Sequence, residues 1–131
     1  MFGQTFSTLL ITTTIPLSFC ISLKSPQVRR IDLQRHNISV PGFEAVQVRV
    51  DFDGGAFAPK HKHYGEEVIY VLEGALEYEL DGQAPVTVQA GGVLFIPAGV
   101  PHSARNMRDS LSSELATYIV ENDKPLVEPV N

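Results

Sequence analysis

The stretch Gly55-Ala-Phe-Ala-Pro-Lys-His61-Lys-His63-Tyr-Gly-Glu-Glu67-Val-Ile-Tyr-Val-Leu-Glu-Gly74 sets two imidazoles and a carboxylate among residues that otherwise build an apolar core. Side chains alternate faces along an extended strand, so His61 and His63 point the same way. Glu67 shares their parity once β structure resumes after Tyr64-Gly65, which lets the three converge. A second stretch, Gly91-Gly-Val-Leu-Phe-Ile-Pro97-Ala-Gly99-Val-Pro-His102-Ser-Ala-Arg-Asn106, supplies a third imidazole just past a turn rich in proline and glycine. Three nitrogens and one carboxylate oxygen, without a thiolate, suit a divalent transition metal, with Fe, Mn or Ni placed ahead of Zn, Co or Cu. Alone, each histidine reads as a surface residue. Together they reverse that expectation, because a buried cluster of unpaired polar groups is costly without an ion.

The two stretches resemble the paired motifs of the cupin family. Gly55, His61, His63, Glu67 and Gly74 match the first motif, and Gly91, Pro97, Gly99, His102 and Asn106 match the second, at the family's spacing. The resemblance runs over residues 30–125, with the short segment between Gly74 and Gly91 seen in small single-domain bacterial cupins. It implies an all-β, single-domain, cupin-type jelly-roll β-barrel with His61, His63, Glu67 and His102 as metal ligands. It does not imply one reaction, since cupins include dioxygenases, isomerases, lyases, decarboxylases and binders.

Dioxygenase-like chemistry on a small organic acid or phenol is the leading expectation, because two open positions on the metal accommodate an organic oxyanion beside O2. Glu67 is then a ligand or a proton acceptor. A Lewis-acid lyase or isomerase is the alternative and needs a separate base. Cupin lyases acting on dimethylsulfoniopropionate resemble that case, with a tyrosine two residues beyond the glutamate ligand. Here that position is Ile69, and Tyr70 points out of the barrel, which leaves Tyr64, Tyr78 or Tyr118 as substitutes. Tyr78 and Tyr118 are also the candidates for the pocket wall, against the commoner case of a core tyrosine with a satisfied hydroxyl. A third reading is a non-enzymatic, metal-dependent small-molecule binding protein.

With 131 residues, 44% hydrophobic and 19% charged, the chain fits one domain with one core. Residues 31–131 carry seven basic against fifteen acidic residues, a formal −8, which argues against nucleic acid as a partner. The single cysteine, Cys20, excludes an internal disulfide. Residues 1–25 contain an uncharged apolar and Thr-rich run, residues 8–23, resembling the apolar core of a secretory signal but lacking a basic residue before it. A signal peptide and a disordered extension both remain open. The protein is exported or periplasmic in the first case and cytoplasmic in the second. Pro16 and the run's length disfavour a transmembrane span.

Residues 31–40 alternate weakly and read as an edge strand, with His36 a polar residue outside both motifs. Val46, Val48, Val50 and Phe52 share one face of the next strand, and Arg49, on the other face, is a weak candidate for holding a substrate carboxylate at the barrel mouth. Residues 68–72 are apolar on both faces, which calls for cover from the N-terminal strand or a second subunit. Glu66, of opposite parity to Glu67, faces away from the metal. Residues 75–80 and 86–88 form a hairpin around Asp81-Gly82. Residues 107–113 read as a polar loop, 115–120 as the last strand and 126–131 as a flexible tail. A small barrel with edges to cover predicts a homodimer.

Overall fold

Strict alternation of apolar and polar residues buries every second side chain when one face of a sheet is covered, and that rule sets the architecture. The computed structural model describes Gly3 and residues 23–131. Its strands are β1 (Val28–Asn37), β2 (Phe43–Phe52), β3 (Phe57–Lys62), β4 (Gly65–Glu73), β5 (Ala75–Leu80), β6 (Val86–Gln89), β7 (Val93–Ile96), β8 (His102–Arg105), β9 (Ser112–Glu121) and β10 (Glu128–Pro129). They form two five-stranded antiparallel sheets, ordered β1-β2-β9-β4-β7 and β10-β3-β8-β5-β6. No helix among the described residues is long and apolar enough to cross a membrane. Residues 8–22 of the apolar N-terminal run, with Cys20, lie outside the described residues.

The expected jelly-roll is present. Val46, Val48, Val50 and Phe52 of β2 meet Ile69 and Val71 of β4, Leu76, Tyr78 and Leu80 of β5 and Ala116, Tyr118 and Val120 of β9 in one core. Burying a Val, Leu or Phe side chain fully contributes about 1.5–3 kcal/mol over leaving it in water. Chain crossings between the sheets require close approach at glycine. A Cβ on Gly65 would collide with the Ile119 carbonyl, and Gly74 combines φ of 69° with a Cβ direction blocked by Ser112 Oγ and the Leu111 carbonyl.

Two strand readings are corrected. The last strand begins at Ser112 rather than Leu115, so Glu114 belongs to it and faces inward with Ala116 and Tyr118. Polar residues start this strand because their groups are satisfied: Ser112 Oγ donates to the Ala75 carbonyl and to Asn106 Oδ1 at 3.1 Å. The N-terminal strand does not cover β4. It pairs with β2 at the opposite edge of the sheet, leaving Val68, Tyr70 and Leu72 of β4 and Val93 and Phe95 of β7 between 42% and 69% exposed. Residues 126–131 run beside β3, where Glu128 and Pro129 pair with Lys62 and His61.

Asn106 ties the end of β8 to its surroundings. Its buried amide donates to the Phe52, Asp53 and Ser110 carbonyls at 3.1, 3.1 and 2.8 Å, while Oδ1 accepts from the Arg108 N–H and from Ser112 Oγ. Asn106→Ala strands these buried partners and is expected to lower the unfolding free energy by about 2–4 kcal/mol in urea denaturation.

Candidate metal centre

His61 ends the body of β3, and its register partner across the ladder is His102 at the start of β8. Directly paired residues of neighbouring strands project their side chains from the same face, so these two imidazoles are brought together by hydrogen bonding of the sheet. His63 follows β3, where the chain leaves one sheet for the other, and Glu67 comes up on β4 of the opposite sheet, level with Tyr118. The coordinating nitrogens of His61, His63 and His102 lie within 4.8 Å of one another. Glu67 Oε2 stands 3.0 Å from His63 Nε2 and 3.1 Å from His102 Nε2. All four residues named from sequence are therefore assembled at one point inside the barrel.

Each imidazole is oriented by its other nitrogen. His61 Nδ1 lies 2.7 Å from the Pro59 carbonyl, His63 Nδ1 2.5 Å from the Leu126 carbonyl and His102 Nδ1 2.9 Å from the Val100 carbonyl. A carbonyl only accepts, so each Nδ1 carries the proton and donates, leaving the Nε2 lone pairs turned toward the common centre. His63 Nε2 and Glu67 Oε2 are buried with no hydrogen-bond partner, despite their short separation. Two buried acceptors facing each other are unfavourable by themselves and become favourable around a cation. The donor set fits a divalent metal ion on that ground, and the carbonyl anchors are the outer contacts that metal-ligating imidazoles need.

Electrostatics agree with a binding-ready state. Burial, helped by the neighbouring His102 and His63, pushes the His61 imidazole down to about 4, so it is neutral at neutral pH. Burial works to raise the Glu67 carboxyl, but His102 and His63 outweigh it and hold the group well below the usual carboxylate range. A neutral His61 and an ionised Glu67 are the forms that coordinate.

The cluster opens onto a small cavity of about 20 Å³, the space of one water molecule, lined by His61, Glu67, His102, Tyr78, Tyr118 and Glu114 among others. Both tyrosines expected at the pocket wall line it. The Tyr118 ring lies edge-on to His63 with centroids 4.7 Å apart, and its hydroxyl accepts from Arg30 Nη2 at 2.9 Å. Tyr78 donates to Glu114 Oε2. Burial, with the Glu67 charge, pushes the Glu114 carboxyl up to about 8. Burial and Glu114 raise the Tyr78 hydroxyl, and burial raises that of Tyr118.

Other residues singled out from sequence lie elsewhere. Tyr70 is exposed on the outer face, Tyr64 sits against Lys124, and His36 is exposed on β1. Arg49 is ion-paired to Asp51 at 2.8 Å and does not line the cavity. Sequence reasoning missed Arg30 and Glu114, both at the cavity. The parity Glu114/Ala116/Tyr118/Val120 would have identified Glu114. For Arg30 the only signal is its shared parity with Val28 in a weakly alternating strand.

Two facing antiparallel sheets with three inward imidazoles define a barrel with a candidate metal centre. The Cupin domain model matches residues 48–118, and the chain belongs to that family. A segment of 51 residues is 35% identical to the dimethylsulfoniopropionate lyase DddQ of Ruegeria pomeroyi, covering 39% of this chain and 25% of the lyase. The crystal structure of that lyase superposes with a TM-score of 0.58 at 26% identity, over 62% of this chain and 41% of the other. The polyketide cyclase RemF from Streptomyces resistomycificus aligns with a TM-score of 0.57 and 30% identity, covering 66% and 61% of the two chains. An oxalate oxidase structure aligns with a TM-score of 0.59 and 26% identity, over 66% and 46%. The chain spans between a quarter and two fifths of the length of the curated relatives it matches.

Titration of metal-free protein with Co2+ is expected to reach one ion per chain with visible d–d absorption. His63→Ala and Glu67→Gln should each weaken it at least about tenfold, whereas His36→Ala, remote from the centre, should leave the isotherm unchanged.

Proposed function

We propose that the chain is a metal-dependent enzyme in which His61, His63, Glu67 and His102 hold one divalent transition metal, Fe, Mn or Ni ahead of Zn, Co or Cu. Its substrate is a small organic acid or phenol bound at the barrel mouth, and its chemistry is proton transfer of the lyase or isomerase type. The observation that carries this reading is the buried Tyr78–Glu114 pair, which lines the same cavity as His61, Glu67 and His102. When bound, the metal supplies Lewis acidity, polarising the substrate oxygen and acidifying the adjacent C–H bond.

The chain's own residues complete the step. Glu67 is ionised and serves as a ligand, so it is not the base. Glu114, pushed up to about 8, is matched to accept a proton near neutral pH. As the Tyr78 oxygen accepts the substrate proton, its own proton passes to Glu114, so no charge is stranded on the phenol. The cavity of about 20 Å³ holds a single water, through which the substrate proton reaches the buried Tyr78 oxygen from the barrel mouth. Likeness to a lyase and a cyclase supports this reading.

A dioxygenase-like oxidoreductase is the second reading, favoured by the three-His, one-Glu ligand set and the likeness to an oxalate oxidase. The two are separated by screening small carboxylic acids and phenols against protein reconstituted with Zn, Mn, Fe or Ni, with and without O2. Turnover with redox-inert Zn in the absence of O2 supports proton transfer; turnover tied to O2 uptake and a redox metal supports oxidation. Binding without turnover in every metal form leaves the non-enzymatic binder.

For proton transfer, kcat is expected to rise with pH to a plateau as Glu114 loses its proton, and Glu114→Gln should abolish that limb and lower kcat by about a hundredfold, within the range for general-base loss. Stability carries the same signature. The unfolded carboxyl loses its proton near 4.5 and the folded one near 8, so the metal-free protein binds more protons when folded within that window and loses stability as pH rises through it. The limiting slope is about 1.4 kcal/mol per pH unit. His61, lowered from 6.5 to about 4, contributes the opposite slope below about pH 6.5, so chemical denaturation should show the fall in the wild type between about pH 6.5 and 8 and a flatter profile there in Glu114→Gln.

We also propose that the chain is a homodimer through the outer face of β4 and β7. Val68 pairs with Phe95 and Tyr70 with Val93 in register, so their exposed side chains form one contiguous apolar strip that suits a second copy about a two-fold axis. Light scattering is expected to give a dimer for the wild type and a monomer for Phe95→Glu.

A further inference from the structure

A second, larger hollow of about 410 Å³ lies outside the metal-cluster cavity and shares Val28, Arg30, Ala58 and His61 with it. Its walls come from β1, from residues 57–61 of β3 and from Val127 and Pro129 of the C-terminal segment. They are apolar apart from three groups. His61 presents the metal centre. Lys60 is ion-paired with Asp81 at 2.6 Å. Arg30 has no carboxylate within ion-pair distance among the described residues, where Arg29, Arg35 and Arg49 are each paired with one. The Arg30 guanidinium is held by Tyr118, with Nη2 on the phenol oxygen at 2.9 Å and the carbon 5.6 Å from the ring centroid. This anchoring takes one N–H and leaves the others for a ligand.

We propose that this hollow is an acceptor site for a small apolar monocarboxylate, with the carboxylate on Arg30 and the hydrocarbon or aromatic body against Val28, Ala58, Pro59 and Val127. The proposal rests on the metal-enzyme reading only for what happens next, namely presentation of the carboxylate end to the centre at His61. Three observations select the ligand class. One uncompensated guanidinium matches a single negative charge, and its planar fork matches a carboxylate. Apolar walls favour an apolar body and disfavour strongly hydrated anions such as sulfate or phosphate. The surrounding chain is acidic, a formal −8 over residues 31–131, so an anion gains little from the protein's overall field and must be recognised locally. The volume lies in the range of small-ligand sites. It also gives the C-terminal segment a role, since Val127 closes the apolar wall while the adjacent Leu126 carbonyl orients His63.

Benzoate is the probe, benzamide its neutral counterpart, and sulfate the hydrated anion. Binding to the full chain is followed by 1H–15N NMR and calorimetry, with metal content measured on the same samples. Benzoate is expected to bind saturably and to shift Val28, Arg30 and Ala58 resonances, with benzamide at least tenfold weaker and sulfate undetectable. Arg30→Gln keeps a hydrogen-bonding group for Tyr118 and should weaken benzoate at least tenfold while leaving benzamide and the metal content unchanged. If Arg30→Gln is poorly folded, Val127→Trp fills the hollow without touching Arg30 and should weaken benzoate to the same degree. Benzoate no tighter than benzamide, or unaffected by either substitution, overturns the proposal. Arg30-dependent benzoate binding in a protein that takes up no metal would sink the metal-enzyme reading alone, whereas metal uptake without benzoate binding would sink this inference alone.

Discussion

Three hydrogen bonds from imidazole Nδ1 to backbone carbonyls are the constraint on which the rest of the candidate site depends. With Pro59, Leu126 and Val100 accepting, His61, His63 and His102 are locked into the tautomer and ring orientation that turn Nε2 inward. A carboxylate stands 3.0 Å from His63 Nε2 and 3.1 Å from His102 Nε2, and His63 Nε2 and Glu67 Oε2 are buried without a hydrogen-bond partner. Facing buried acceptors of this kind are costly by themselves and become favourable around a cation.

That arrangement comes from the barrel. His61 and His102 are register partners in one sheet, and Glu67 and Tyr118 are register partners in the other. The chain reverses between the sheets at residues 63–64, so His63 and Glu67 are delivered from opposite walls by a connection too short to wander. Gly65, which has no room for a side chain against Ile119, permits that crossing. The interior is accordingly of two kinds. One is a hydrocarbon core of Val46, Val48, Phe52, Leu76 and their neighbours, and the other is a polar pocket in which Tyr78 pairs with Glu114 while Tyr118 accepts from Arg30, an exposed residue of β1. A barrel of this size forgoes apolar burial to house that polar set, and departures from a purely apolar interior of this sort concentrate where function resides.

Much of this was legible beforehand. Val46, Val48, Val50 and Phe52 announce their strand because period-two alternation has only one low-energy reading. The assembly of His61, His63, Glu67 and His102 follows from parity together with the motif spacing. Glu114 was hidden by its setting in a run of serines that looked like a loop, since the hydrogen bonds of Ser112 that let a polar strand start be buried are made to Ala75 and Asn106, far away in the chain. Arg30 was hidden because its partner, Tyr118, lies 88 residues on, and Arg49 was the more visible arginine. The two-sided apolar pattern of residues 68–72 predicts cover on both faces, but what lies beside β4 depends on sheet order: β1 goes to the far edge, and Val68, Tyr70 and Leu72 stay exposed in the single chain.

By itself, then, the amino-acid sequence determined the periodicity of the strands, the turn positions, the family motifs and the identity of the four clustered donors, because these depend on residue type and on separations of a few residues. Tertiary structure alone decided which carbonyl orients each imidazole, which arginine faces the hollow beside His61, and which carboxyl is pushed up to about 8 by burial. Those properties arise from dielectric surroundings and contacts between segments distant in the chain. They are set only when the two sheets close on each other.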